Sequence, residues 1–208
     1  MGSNTHHINN SYDFVQKIQN IKLKDNEKIV SFDVSALFTS IPTKDAIKVI
    51  RTNLEQDPSL KERTPLNIDQ ILQLLELCLD TTYFTFRETF YKQTHGATMG
   101  SPVSPIVASL YMEAFEVRAI DTAPHPPVVW YRYVDDTFVV IDQDHIENFH
   151  HHIHSIDENI KFTIEPEEEG HMPFLDVSVK VEADRSLSTK VYRKKDTYGP
   201  IPEFPVKS

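Results

Sequence analysis

Cysteine is nearly absent: Cys78 stands alone in 208 residues, so no internal disulfide can form and a reducing cytosolic or nuclear compartment fits. Positive charge is also scarce. Lys and Arg number 21 against 31 Asp and Glu, a formal net charge of -10, which argues against a chain that grips nucleic acid mainly through a basic surface. Long apolar runs are missing too: none approaches the ~20 residues of a membrane-spanning helix, and Met1-Gly2-Ser3-Asn4-Thr5-His6 has no hydrophobic signal core. The same stretch misses the myristoylation pattern, because His6 stands where Ser or Thr belongs. Asn9-Asn10-Ser11 fits the glycosylation sequon, but without a secretory signal it reads as chance. No internal repeat is visible, and no membrane partner is expected.

What is present is ordinary for a globular protein: 39% hydrophobic and 25% charged residues, in a chain long enough for one good-sized core. The first dozen residues are polar and read as frayed. Phe14, Val15, Ile18 and Ile21 recur at helical spacing, predicting a helix over Ser11 to Lys22. Lys28 to Phe32 reads as a strand ending at Asp33. Helices follow from Thr43 to about Asp57, and from Leu66 to Leu79 with Asn67 as N-cap and a stripe through Ile71, Leu74, Leu75 and Leu77. Thr82 to Phe86 and Thr89 to Lys92 form the arms of a hairpin turning at Arg87-Glu88. Ser104 as N-cap and Pro105 at the first turn open a helix on Ile106, Leu110, Ala114 and Val117.

After the Pro-rich loop Thr122 to Pro127, the runs Val128 to Val134 and Thr137 to Ile141 flank Asp135-Asp136, a tight hairpin. A polar helix from about Asp144 to Asn159 precedes strands near Phe162 to Ile164, Phe174 to Val181 and Leu187 to Tyr192, and the tail Gly199 to Ser208 reads as unstructured. Strands interrupted by helices, with a hairpin among them, predict an α+β layout: an antiparallel sheet with helices packed on one face.

Asp135 and Asp136 are the most informative pair. Adjacent carboxylates repel, and a hairpin tip favours Asn-Gly or Asp-Gly, so a hard divalent cation with oxygen ligands is the natural compensation. By themselves they fit a solvated acidic turn at least as well. Asp33, also closing an apolar strand, changes the balance: a carboxylate there beside the pair suits two Mg²⁺ ions roughly 4 Å apart in a phosphoryl-transfer site. Alone, Asp33 would be read as a cap.

Ser31-Phe32-Asp33-Val34-Ser35-Ala36-Leu37-Phe38, Met99-Gly100-Ser101-Pro102-Val103-Ser104-Pro105 and Tyr133-Val134-Asp135-Asp136 resemble, in order, three palm motifs of reverse transcriptases. Wider phrases resemble the Penelope-like retroelement branch: Phe38-Thr39-Ser40-Ile41-Pro42, Leu110-Tyr111-Met112-Glu113, Trp130-Tyr131-Arg132-Tyr133, Pro173-Phe174-Leu175-Asp176-Val177 and Val191-Tyr192-Arg193-Lys194. The similarity runs from about Tyr12 to Lys194. It implies a polymerase palm with a ferredoxin/RRM-like core at 12–195, flanked by a flexible N-terminus at 1–11 and a flexible tail at 196–208, with fingers and thumb largely absent.

The resemblance implies a catalytic set of Asp33, Asp135 and Asp136, with the Val34 carbonyl as a further metal ligand. Two Mg²⁺ ions, with Mn²⁺ as substitute, are the implied cofactors. Phe38 matches the steric gate that crowds a ribose 2′-hydroxyl, with ordinary core as the alternative. Gly100, Ser101 and Pro102 match the nucleotide-binding segment, where two glycines before a helix also suit a close backbone approach. Lys161 falls near the place of a general acid. RNA template, DNA primer and deoxynucleoside triphosphates are the implied partners, with the missing fingers and thumb of a longer protein.

Viral RNA-dependent RNA polymerases carry a second aspartate where this chain has Leu37 and Phe38, so DNA synthesis is the better reading. The chain departs from the family at Asp196-Thr197-Tyr198-Gly199 and shows no GIY-YIG endonuclease segment. A catalytically inactive remnant or domesticated domain serving in protein contacts stays open. His150, His151, His152 and His154 fall on successive helical positions that do not converge on a metal, and read as a solvated face.

Overall fold

A computed structural model describes residues 6–193. Helix α1 (Ser11–Ile18), strand β1 (Glu27–Val34), the short helix α2 (Leu37–Ser40) and helix α3 (Thr43–Glu55) come first. A short helix α4 (Leu60–Arg63), helix α5 (Ile68–Asp80) and the hairpin β2 (Tyr83–Phe86) and β3 (Thr89–Lys92) follow. The second half holds α6 (Ser104–Asp121), β4 (Val129–Tyr133), β5 (Asp136–Asp142), α7 (Ile146–Ile156), β6 (Phe162–Pro166), β7 (His171–Phe174), β8 (Val177–Val181) and β9 (Leu187–Val191). The expected tail at 196–208 lies outside the described residues.

The α+β expectation holds. The principal sheet is antiparallel with strand order β4-β5-β1-β6, so β1 is central and is flanked by strands from the distant second half of the chain. Alternation along β1 divides the core in two. Val30, Phe32 and Val34 face α3, α6 and α7, whereas Ile29 joins Phe138 and Val140 against α1 and the small sheet β7-β8-β9. Helices therefore cover one face, and α1 with a second sheet covers the other.

Several local expectations shift. Helix α1 ends at Ile18 rather than Lys22. The Asn67 cap forms as expected, as a full capping box with Gln70. Leu74 and Leu77, however, are exposed, and α5 buries Leu72 and Leu79 instead. Helix α6 turns its other face inward: Val107, Met112 and Phe115 are buried while Ile106 and Val117 are exposed. Ser104 is its first helical residue rather than its cap. Residues 6–8, read from composition as part of a frayed start, run along β4: Arg132 N–H donates to the His6 carbonyl (2.8 Å) and Ile8 N–H to the Arg132 carbonyl (2.9 Å). Ile8 is fully buried, which accounts for the attachment.

Candidate active site

Regular pairing of β1 with β5 ends at Val30 and Val139. Beyond it, side chains replace the ladder. Thr137 Oγ1 accepts from the Phe32 N–H (2.7 Å) and donates to the Phe32 carbonyl (3.0 Å). The Ser31 hydroxyl lies 2.6 Å from both Asp33 Oδ1 and the Thr137 carbonyl, and its one proton serves one of them at a time. On the other side Asp33 pairs with Thr163 of β6. The Asp33 carboxylate is thus set by a buried hydroxyl at the end of a strand held from both sides.

The acidic hairpin differs from its expectation by one residue. Tyr133 pairs with Asp136, so the two-residue tip is Val134-Asp135 and Asp136 is already in β5. Val134 takes φ +56°, a left-handed conformation that suits glycine and strains a β-branched residue. Val34 N–H donates to the Asp135 carbonyl (3.3 Å), which joins the tip to the end of β1. Asp136 shares strand parity with Phe138 and Val140, and so points to the same face as Asp33.

Asp33 and Asp136 line one cavity of about 510 Å³, with Ser31, Glu165, Asp176 and Arg193 around it. Asp135 is exposed and reaches β1 through its backbone. Glu165, Asp176 and Arg193 were missed in the sequence. Asp176 and Arg193 do lie in two of the retroelement-like phrases, which was the available signal. Asp176 sits at the tip of the β7–β8 hairpin beside Leu175, whose φ of +54° repeats the geometry of Val134. Its carbonyl accepts from the Tyr192 N–H (2.7 Å), bringing the end of the described chain to the cavity.

Phe38 is half-buried against the main core, and its carbonyl accepts from the Ala97 N–H (2.6 Å). Gly100 has φ +100°, Ser101 N–H donates to the Thr98 carbonyl, and Pro102 is exposed just before α6. Lys161 is exposed and does not line the cavity; its carbonyl accepts from Ser35 N–H (2.8 Å). Three of the four α7 histidines do not form a solvated face, and His151 alone among them is exposed. His150 Nε2 lies 2.9 Å from the Phe162 carbonyl, His154 Nε2 2.9 Å from the Phe162 nitrogen, and His152 Nε2 3.0 Å from the Ala119 carbonyl.

Among the described residues no three His, Cys, Asp or Glu side chains converge closely enough to hold a metal ion by themselves. The donor set still fits a hard cation, because Mg²⁺ keeps several waters and takes one or two carboxylates beside substrate phosphates. Asp33 and Asp136 would supply those, with the Val34 carbonyl as the backbone candidate beside them.

A central strand ending in a carboxylate, joined to an acidic hairpin in an antiparallel sheet backed by helices, defines a polymerase palm. The reverse transcriptase (RNA-dependent DNA polymerase) family profile matches residues 2–167, and the chain belongs to this family. Its fold is similar to that of telomerase from Candida albicans, solved with a TWJ fragment of telomeric RNA: TM-score 0.67, 15% identity, covering 91% of this chain and 35% of that one. Telomerase from Candida tropicalis with the same kind of RNA fragment gives TM-score 0.63 at 15% identity, covering 98% and 36%. The BmCPV RNA-dependent RNA polymerase gives 0.50 at 15% identity, covering 91% and 19%. The chain therefore spans about a third of the telomerases it matches. No match is found among curated protein sequences. Among the described residues no helix is long and apolar enough to cross a membrane.

Proposed function

We propose that this chain carries the nucleotidyl-transfer site of an RNA-directed DNA polymerase from a retroelement of the Penelope-like branch. The palm is set at 12–195, with residues 6–8 packed onto it along β4 and 196–208 outside it, and it acts inside the cell, in cytoplasm or nucleus. The observation that supports this most is the shared cavity of Asp33 and Asp136, which β1 and β5 bring together from distant parts of the sequence. Asp33, Asp135 and Asp136 hold divalent cations, Mg²⁺ or Mn²⁺, with the Val34 carbonyl as a further ligand. Divalent cations held there would supply Lewis-acid activation of a primer 3′-hydroxyl and charge neutralisation at a triphosphate.

The chain's own residues do the positioning. Phe38 crowds the ribose 2′ position and favours deoxynucleotides. Gly100, Ser101 and Pro102 bring backbone up to the nucleotide at the start of α6, whose N-terminus favours negative groups. Lys161 is the general-acid candidate. Its exposed side chain has to reach the pyrophosphate from outside the cavity.

Primer extension on oligo(dT)-primed poly(rA) with Mg²⁺ or Mn²⁺ tests the reading. Metal-dependent dTTP incorporation that vanishes in an Asp135→Ala, Asp136→Ala variant supports it. A folded, monodisperse chain that incorporates nothing moves the activity to a longer protein carrying fingers and thumb. The exposed aromatics of the β2–β3 hairpin, Tyr83, Phe84, Phe86 and Phe90, favour a second reading, an inactive domain kept for protein contacts. A chain without polymerase activity in any longer context decides for that second reading.

A further inference from the structure

One buried charge pair lies directly behind the acidic hairpin and has no part in the cavity. Glu116 of α6 and Arg132 of β4 are 0% and 1% exposed at their side chains. Arg132 Nε donates to Glu116 Oε1 (2.5 Å), Nη2 lies 3.4 Å from Oε2, and the Trp130 indole N–H donates to Oε1 (3.0 Å). One guanidinium arm points elsewhere: Nη1 donates to the Val134 carbonyl (3.0 Å). Val134 is the residue held at φ +56° in the tip, between the paired Tyr133 and the Asp135 whose carbonyl accepts from Val34.

A buried ion pair is a weak source of stability, because desolvation offsets most of its attraction and apolar residues of similar volume often do as well. What apolar residues cannot supply is a directed donor to a carbonyl. The strained Val134 backbone needs such over-determination from its surroundings to persist. Arg132 is itself fixed from three directions: Glu116 grips its head, Thr137 pairs with it across β5, and residues 6–8 bond both its backbone groups. Only a forked, planar donor can satisfy Glu116 and the Val134 carbonyl together.

We infer that Glu116 and Arg132 form a positioning unit that clamps the Val134-Asp135 tip with Val134 in its left-handed conformation, aiming Asp136 at the site of Asp33. The inference rests on the polymerase reading for its consequence, while the clamp itself is a statement about backbone geometry. Helix α6 begins just after the Gly100–Pro102 segment and carries Glu116 further along, so one element connects the loop before it to the acidic tip.

The test uses the full chain, labelled for NMR, with Glu116→Leu/Arg132→Met and Arg132→Lys as variants. Three readouts are taken: the melting temperature, the backbone shifts and amide exchange of residues 133–136, and Mn²⁺ affinity by electron paramagnetic resonance. The double variant is expected to melt only slightly below wild type, the loss coming from the Trp130 indole N–H and the Val134 carbonyl that it leaves without their partners. Its Val134 shifts should nevertheless leave left-handed values, tip amides should exchange at least about tenfold faster, and Mn²⁺ should bind about tenfold more weakly, as for lost outer-shell partners.

Arg132→Lys keeps the charge against Glu116 but loses the second arm, and should show the same tip changes to a smaller degree. It also decides the matter if the double variant does not fold. Unchanged Val134 shifts and tip exchange in either folded variant overturn the clamp. Asp33→Asn separates the two claims: if Mn²⁺ binding ignores that change while the tip still moves in Arg132→Lys, the metal reading falls and the clamp stands.

Discussion

Gly96→Ala provides a test of how tightly the loop before α6 is pressed against the Phe38-Thr39 backbone. Gly96 has φ +72°, and a Cβ built there would lie 2.5 Å from the Phe38 carbonyl oxygen, 2.5 Å from Thr39 Cα and 2.6 Å from the Thr39 oxygen. These are backbone atoms, already tied by the 2.6 Å bond from Ala97 N–H to the Phe38 carbonyl, so they have little freedom to retreat. Gly170 is the built-in control. Its φ is +75°, nearly the same, yet nothing lies within 4 Å of its virtual Cβ.

Alanine at Gly170 therefore costs only the left-handed penalty, roughly 1–2 kcal/mol. At Gly96 an overpacking cost of about 1–3 kcal/mol adds to it. For a chain of this size each kcal/mol moves the melting temperature by roughly 2–4 °C, so Gly96→Ala should melt about 2–12 °C below Gly170→Ala. Calorimetry on the two variants reads the difference directly. Equal melting temperatures would refute the close approach. Where polymerase activity is measurable, Gly96→Ala should also shift discrimination between dTTP and UTP, because Phe38 has to move.

Thr137→Val preserves shape but strips both bonds from the Phe32 backbone, which has no ladder partner on that side. At about 1–3 kcal/mol for each unsatisfied group, it should destabilise by roughly 2–6 kcal/mol in a denaturant titration, and a loss under about 1 would contradict the assignment. Asp157 feels burial, which raises its pKa, but the Tyr111 hydroxyl and the Asn159 donors outweigh it and hold the carboxyl below 3.8. Its contribution is therefore present above 3.8 and is lost as pH falls through the lowered value. The melting advantage of wild type over Asp157→Asn should shrink on acidification through that range, and a constant gap would count against it. Burial, with the His150 imidazole nearby, holds His154 below 6.5, so protonation favours the unfolded chain. The advantage of wild type over His154→Gln should be full above 6.5 and fall as pH drops through the lowered value, read from melts across that window.

The strands around the site were legible because their apolar runs are short, β-rich and punctuated by acids, which places Asp33 at the end of β1 without any fold in hand. The position of Asp136 was not legible. Tyr131 and Tyr133 alternate with Trp130 and Arg132, so the register depends on which set faces the helices, and that is decided by Glu116 waiting on α6. The phase of α6 misled for a related reason: Ile106, Leu110 and Val117 are as apolar as Val107, Met112 and Phe115, so periodicity alone does not choose a face. A glutamate among them looks like solvent side and is in fact wholly buried. The histidines of α7 were underestimated because their partners are backbone groups of Phe162 and Ala119, which no side-chain pattern announces.

The seam between β1 and β5 also says something about how the chain comes together. Ser31 and Thr137, which stitch it beside the acidic cavity, are 106 residues apart in sequence. Contacts of such separation form only after a long loop has been closed, a cost that grows as the logarithm of loop length and that slows folding. The helices and the β2–β3 hairpin between them have local partners and do not need that closure. Gathering the carboxylates therefore belongs to the late, global part of folding. A cation that binds them would bind the native chain almost exclusively, so its occupancy would report, residue by residue, on whether the two halves of the sequence have met.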